Sequence, residues 1–210
     1  MPAAPLYELQ MIGTAAFAVT GVLAVNRRGL DAFGAVVLGC VTSLGGGTIR
    51  DVVIGAPVFW LNDLNYMWAA LAAALVAFFA SRSFVSTYTA LLYLDGLGAA
   101  LFAVFATEKV LGLGHGPMVA VIMGVLTAIG GGLVRDVLAG QTTLLMSREI
   151  YATPVLIGCA FYAVLRGPGA HDAPIGFAAV ALIFAIRAAA MRWHIEMPGW
   201  LTSDHDVKAR

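Results

Sequence analysis

Seven long apolar stretches, separated by short polar connections, run along the chain near residues 9–26, 31–51, 66–82, 88–107, 117–138, 150–166 and 173–192. Crossing about 30 Å of hydrocarbon takes about 20 helical residues, so each stretch reads as a membrane-spanning helix and the fold class as an all-α integral membrane protein. The connections Asn26-Arg27-Arg28-Gly29, Ser81-Arg82-Ser83 and Arg166-Gly167-Pro168-Gly169 combine turn formers with charge, as short interhelical loops do. Residues 198–210 form a polar tail that is expected to fray. Residues 1–10 contain Glu8 and neither Lys nor Arg, so they lack the charged start of a signal peptide and the first stretch is expected to remain as a span.

The pattern repeats with an offset of 85 residues. Gly45-Gly46-Gly47-Thr48-Ile49-Arg50-Asp51-Val52 returns as Gly130-Gly131-Gly132-Leu133-Val134-Arg135-Asp136-Val137, and Gly13, Phe17, Gly39, Thr42, Gly55 and Tyr66 fall on Gly98, Phe102, Gly124, Thr127, Gly140 and Tyr151. Repeat one covers about 8–82 and repeat two about 88–166, each with three spans, within a single membrane domain. An odd number of crossings sends the second repeat into the membrane with opposite orientation, which is an inverted-topology repeat about a pseudo-two-fold axis in the membrane plane. A seventh helix at about 173–192 stands outside this symmetry. Basic residues favour the cytoplasmic side. With the N-terminus outside, Arg27, Arg28, Arg82, Arg148, Arg187, Arg192, Lys208 and Arg210 fall inside, against Lys109 and Arg166 outside, so N-out and C-in is expected.

Composition narrows the function classes. The chain is 60% hydrophobic and 11% charged, with a mean hydropathy of +0.89, whereas about a quarter of residues are charged in soluble domains. Zero net charge without a basic run among aromatics argues against nucleic-acid binding. Cys40 and Cys159 lie in apolar stretches without CxxC or Cys/His clustering and read as small core residues. His115, His171, His194 and His205 have no ligand spacing, so neither a metal site nor a cofactor is expected. Trp60, Trp68, Trp193 and Trp200, with Tyr7, Tyr66, Tyr88 and Tyr151, fall near span ends as interfacial anchors do. The glycine runs lack the Lys-Ser/Thr ending of a phosphate-binding loop, and no nucleophile and base share a meaningful spacing, so nothing points to an enzyme.

The chemistry rests on the doubled motif. Each glycine weakens a helix by about 1 kcal/mol relative to alanine, so the triplets Gly45, Gly46, Gly47 and Gly130, Gly131, Gly132 are expected to break or kink their helices. The rival use is close packing through small residues, which needs fewer glycines than a tandem triplet supplies. Breaks in membrane helices survive where they pack in protein or line a wet cavity, and paired breaks in two repeats point to a transport pathway. Arg50-Asp51 and Arg135-Asp136 then face opposite mouths. Adjacent helical residues point about 100° apart, so neither arginine need pair with its neighbouring aspartate. The pairs either bound a conduit for cations or cap the broken helices at headgroup depth. Asp95, whose counterpart is the neutral Gln10, is a pathway residue or a carboxylate wetted from the cytoplasmic side. Thr42, Ser43, Thr48 and Thr127 offer hydroxyls to a cation or, more commonly, to their own helix backbone.

These residues, with Phe17-Ala18-Val19-Thr20-Gly21 and Asp95-Gly96-Leu97-Gly98, resemble the prokaryotic trimeric intracellular cation (TRIC) channel family, the same sequence family as the UPF0126 membrane proteins and the proteins named as glycine transporters. The resemblance covers spans one to six. It implies a homotrimer in a prokaryotic cell membrane, with one potassium-permeable pore per protomer lined by kinked second and fifth helices. It makes the six triplet glycines the kink and pore-lining positions and sets Arg50, Asp51, Arg135 and Asp136 beside the conduit. Permeant potassium, with sodium as a second candidate, and membrane lipids are the implied partners. The alternative is a secondary carrier of glycine or another small amino acid, built on the same inverted repeat.

Overall fold

The computed structural model describes residues 4–26, 31–80, 87–147, 150–166 and 173–197. The helices are α1 (Ala4–Val25), α2 (Ala32–Val53), a single-turn α3 (Phe59–Asn62), α4 (Asn65–Ala80), α5 (Thr87–Gly112), α6 (Pro117–Leu138), α7 (Ala152–Leu165) and α8 (Ala173–Trp193), with a 3-10 turn at Leu144–Met146. No β-strand occurs among the described residues. Arg27, Arg28, Arg82, Arg148, His171, Trp200, His205, Lys208 and Arg210, together with the polar tail, lie outside the described residues.

Among the described residues five helices, within α1, α2, α5, α6 and α8, are long and apolar enough to cross a membrane. The third and sixth expected spans are the shorter apolar helices α4 and α7, of 16 and 14 residues. At 1.5 Å per residue these cover about 24 and 21 Å, less than a hydrocarbon core of about 30 Å. Each is preceded by an irregular segment that holds the single turn α3 or the 3-10 turn.

Helices α1, α2 and α4 pack on one another, and α5, α6 and α7 do the same. The two groups meet through α1 against α5 and α2 against α6, while α8 lies on α5 and α7. At the first junction the equivalent rings of Phe17 and Phe102 stack, 5.5 Å between centroids. Gly13 sits beside Phe102 and Gly98 beside Phe17, so α1 and α5 run antiparallel. The two largest core clusters cross between the groups: one joins Ala18, Val22, Leu38, Ala70 and Ala74 to Leu91 and Tyr151, and the other joins Phe102, Val104, Val155, Cys159, Tyr162 and Ile183 to Phe17. Cys159 is fully buried and Cys40 half-buried, both as free thiols.

The glycine triplets do not break their helices. Both α2 and α6 run as continuous α-helix through Gly45, Gly46, Gly47 and through Gly130, Gly131, Gly132. The middle glycines serve the close-packing use instead. A Cβ on Gly46 would overlap the Thr127 carbonyl oxygen, and one on Gly131 would overlap that of Thr42. Residue 46 beside 127 and 131 beside 42 makes this crossing antiparallel. Small residues here permit backbone-to-backbone approach, which supplies van der Waals attraction where lipid offers no hydrophobic gain.

Candidate functional site

Each Arg-Asp pair closes the last turn of its helix, and the two ends are built alike. Ile54 and Ala139 donate their N–H groups to the carbonyls of Arg50 and Arg135, at 3.0 and 2.8 Å, and Ala56 and Gln141 donate to those of Asp51 and Asp136, both at 2.8 Å. Gly55 and Gly140 make the turn with φ of +66° and +57°, a left-handed conformation that suits glycine. The aspartate then reaches across the turn. Asp51 Oδ2 accepts the N–H of Phe59, and Asp136 Oδ2 accepts that of Leu144, each at 2.9 Å. These bonds satisfy the first amide of α3 and of the 3-10 turn, groups that no bond within so short a turn can satisfy.

The arginines do bond to their neighbouring aspartates. Arg50 Nε lies 2.8 Å from Asp51 Oδ1, and Arg135 Nε lies 2.8 Å from Asp136 Oδ1. The Cα–Cβ directions diverge by about 100°, but the long arginine stem curls back to meet the carboxylate.

Around the α2 end the third partner is Lys109, near the C-terminus of α5, with its Nζ 2.7 Å from Asp51 Oδ1. Lys109 is about one-third exposed, and the Arg50 guanidinium stands 5.8 Å from the Phe59 ring centroid. Two cations share one carboxylate here. Around the α6 end Arg135 Nη1 donates to Asp95 Oδ1 at 2.8 Å and to Thr20 Oγ1 at 3.0 Å. Arg187 of α8 donates through Nη2 to Asp95 Oδ2 at 3.2 Å and through Nη1 to the Tyr151 carbonyl at 3.3 Å, and its guanidinium lies 4.2 Å from the centre of the Tyr151 ring. Two cations face two carboxylates in this cluster. Arg135 and Asp95 are both 0% exposed, so of the two uses open to Asp95 a carboxylate wetted from the cytoplasmic side is not the one seen. Arg135 Nη2 and Arg187 Nε have no hydrogen-bond partner among the described residues. Lys109 and Asp95 lie on one helix 14 residues apart, which separates the two clusters by about 21 Å along α5.

The hydroxyls bond locally. Thr42, Thr48 and Thr127 donate to the carbonyls of Leu38, Leu44 and Met123 at 2.6, 2.7 and 2.6 Å, and Ser43 donates to that of Cys40 at 3.1 Å. Thr48 also accepts from Trp60 Nε1 at 3.0 Å, so Trp60 is tied into the α2 end. The outer members of the glycine triplets diverge. Gly45 faces open space, whereas Gly47 packs against the Phe59 ring and Gly132 against Tyr151 Oη and Asp95 Oδ1. Gln10, the counterpart of Asp95, accepts the hydroxyl of Tyr66.

Arg187 and Lys109 are the residues that reading by spans leaves out. Counting loop charges treats both as free markers of a membrane side, but both lie in helices and bond to carboxylates. The signal for Arg187 is an arginine inside the apolar run 173–192, the same intramembrane charge that singles out Asp95. Lys109 sits just past the expected end of the fourth span at 107, and the helix continues to Gly112.

A family model described as glycine transporter matches the chain twice, at residues 7–82 and 92–167, with the same offset that separates the two motifs. The chain is 40% identical over 195 residues to a UPF0126 membrane protein of Vibrio cholerae, covering 92% of this chain and 82% of the relative. It is 37% identical over 199 residues to the UPF0126 inner membrane protein YadS of Escherichia coli K12, covering 92% and 95%. Its structure resembles that of the TRIC trimeric intracellular cation channel orthologue from Rhodobacter sphaeroides with a TM-score of 0.87 and 41% identity, over 92% of this chain and all of the other. The chain is therefore a multi-pass protein of the bacterial inner membrane and belongs to the family that unites the UPF0126 proteins with the prokaryotic TRIC channels.

Proposed function

We propose that the protein is a passive channel for monovalent cations, chiefly potassium with sodium as a second permeant ion, with one pathway along the α2–α6 crossing of each protomer in a homotrimer. The observation that carries this reading is the pair of equivalent Arg-Asp helix ends, on two antiparallel helices and about 21 Å apart along α5. In a membrane this arrangement is a two-ended pathway. It belongs to an inverted-topology repeat of about 8–82 and 88–166, seven crossings in all with the seventh helix at 173–192, the N-terminus outside and the C-terminus inside. Single helices presenting Phe33, Val76 and Val164, which are 79%, 68% and 81% exposed, then meet lipid or a neighbouring protomer.

The geometry supports a role for each residue. Gly46 and Gly131 let α2 and α6 touch backbone to backbone, so a small separation of the two helices opens or shuts the path between them. Gly45, Gly47, Gly130 and Gly132 border that crossing. The carboxylates of Asp51, Asp95 and Asp136 bias the ends toward cations, while Arg50, Lys109, Arg135 and Arg187 hold those carboxylates and close the ends in this conformation. Thr42, Ser43, Thr48 and Thr127 stiffen the helices beside the crossing through bonds to their own backbones. Voltage has charges to act on at both ends, since one charge crossing 100 mV is worth about 2.3 kcal/mol.

Purified protein in planar bilayers under a KCl gradient tests the reading. Discrete unitary currents reversing near the potassium equilibrium potential are expected. The second reading, a carrier of glycine or another small amino acid, draws on the description of the matching family model and on the buried α6-end cluster, which offers both signs of charge to a zwitterion. Electrical silence with saturable glycine uptake into liposomes, abolished by Asp95→Asn, would replace the channel by the carrier.

A further inference from the structure

Helix α8 meets the second repeat at a socket that the first repeat lacks. It lies against α5 and α7, with Ile183 seated over Gly158 and with Arg187 and Met191 beside Gly96. A Cβ on Gly96 would stand 3.5 Å from Arg187 Nε, so any longer side chain there would press on the guanidinium. Where the first repeat reads Gln10-Met11, the second reads Asp95-Gly96. Asp95 supplies the charge that an arginine needs, and Gly96 supplies the room. The tyrosine beside them is common to both repeats. Tyr66 donates its hydroxyl to Gln10, and Tyr151, its counterpart, sets its hydroxyl beside Asp95 at Gly132. The first repeat thus shows the same site in a neutral form, with a glutamine in place of the carboxylate.

We propose that Arg187 is a positioning residue for permeation: it neutralises Asp95 from outside the repeat and keeps that carboxylate against Arg135, so that the Asp95–Arg187 pair sets the field at the α6 end and is dispensable to the fold. The proposal rests on the channel reading of the preceding section. Three observations carry it. The charges balance only with Arg187 in place, since Arg135 alone would face both Asp95 and Asp136, all of them buried beside the α2–α6 crossing. Arg187 is also held more loosely than Arg135. Its bonds to Asp95 and to the Tyr151 carbonyl measure 3.2 and 3.3 Å against 2.8 Å for Arg135 to Asp95, and its Nε has no partner among the described residues. A buried ion pair adds little stability over a well-packed neutral pair of similar volume. Finally, Gln10 with Tyr66 is such a neutral arrangement on the equivalent scaffold. Taking away both charges leaves Arg135 with Asp136, as Arg50 is paired with Asp51 at the other end.

The test compares Arg187→Met, Asp95→Gln and the double variant with wild type in the full chain, by thermal unfolding in detergent and by unitary currents in planar bilayers. Methionine keeps the packing on the Tyr151 ring, whose centre lies 4.2 Å from the guanidinium, and removes only the charge. Arg187→Met bares a carboxylate at one end of the pathway. In symmetric dilute KCl it should change the ratio of currents at opposite voltages by about twofold or more. Adding Asp95→Gln should reverse that change and return the unfolding midpoint to the wild-type value or above, whereas each single variant melts lower. Arg187→Lys keeps the charge and should keep the wild-type current ratio. If Arg187→Met alone fails to fold, a folded double variant is the rescue expected of a dispensable pair. A current ratio that Arg187→Met leaves unmoved, or a double variant that melts below both singles, overturns the proposal. A wild type that passes no current would instead remove the channel reading, and with it any part for Arg187 in permeation, whatever the midpoints.

Discussion

The α2 end and the α6 end have the same scaffold and different chemistry. In both, arginine Nε meets the next aspartate at 2.8 Å, and that aspartate holds an amide eight residues on at 2.9 Å. Beyond that the ends part. The α2 end recruits Lys109, partly exposed, and carries two cations on one carboxylate. At the α6 end Asp95 and Arg187 join in full burial, two against two. Neither addition is duplicated, since Asp95 answers to Gln10, Lys109 to Ala24, and Arg187 lies outside the repeat. Duplication thus supplies a way to end an apolar helix, and unduplicated residues decide which further partners each end takes. Removing a partner should therefore cost more at the α6 end than at the α2 end, where Lys109 is partly exposed, because a buried charge left without its partner is far more costly than an exposed one.

Removing Asp95 should have the largest effect. Asp95→Asn leaves two buried guanidinium groups short of a carboxylate and is expected to destabilise the protein by about 3–5 kcal/mol, with Asp51→Asn costing less because Lys109 can turn to water. Thermal unfolding in detergent ranks the two, and an equal loss would erase the proposed difference between the ends. Gly46→Ala and Gly131→Ala come next. Each drives a Cβ into a backbone oxygen of the opposite helix, so each should cost about 1–3 kcal/mol and change unitary conductance, in equal measure if the crossing is symmetric.

Lys109→Gln should lower stability by less than about 1 kcal/mol, because Asp51 keeps Arg50 and the Phe59 amide. Its sharper effect is on permeation. Taking a cation from the α2 end should raise cation current in dilute salt, and the increase should fade at about 1 M, where the Debye length falls to about 3 Å. An increase that persists in high salt would assign Lys109 to some task other than setting the local field. The smallest effect is expected at Gly45, which faces open space: Gly45→Ala should leave conductance alone and add up to about 1 kcal/mol of helix stability.

Much of this is legible in the residues. The apolar runs at 9–26, 31–51, 117–138 and 173–192 end within a few residues of α1, α2, α6 and α8, because twenty consecutive apolar residues leave the backbone no other way to satisfy itself. Asp95 and the Arg-Asp pairs stand out because charge inside such runs is rare. The triplets stand out too, but not as breaks. Helix propensity favours a break at Gly46, but in a packed crossing the close approach of α2 to the Thr127 backbone outweighs the intrinsic weakness of glycine, and the helix continues.

By itself the sequence determined the helices, their duplication and the positions where charge must find a partner, since these follow from hydrophobic length and from an offset that is plain to count. Only the tertiary structure decided the partners. Arg187 reaches Asp95 across 92 positions and Lys109 reaches Asp51 across 58, and such pairings depend on how helices cross. Crossings are set by the steric fit of Gly46 to Thr127 and of Gly158 to Ile183, which exists only once the helices have met.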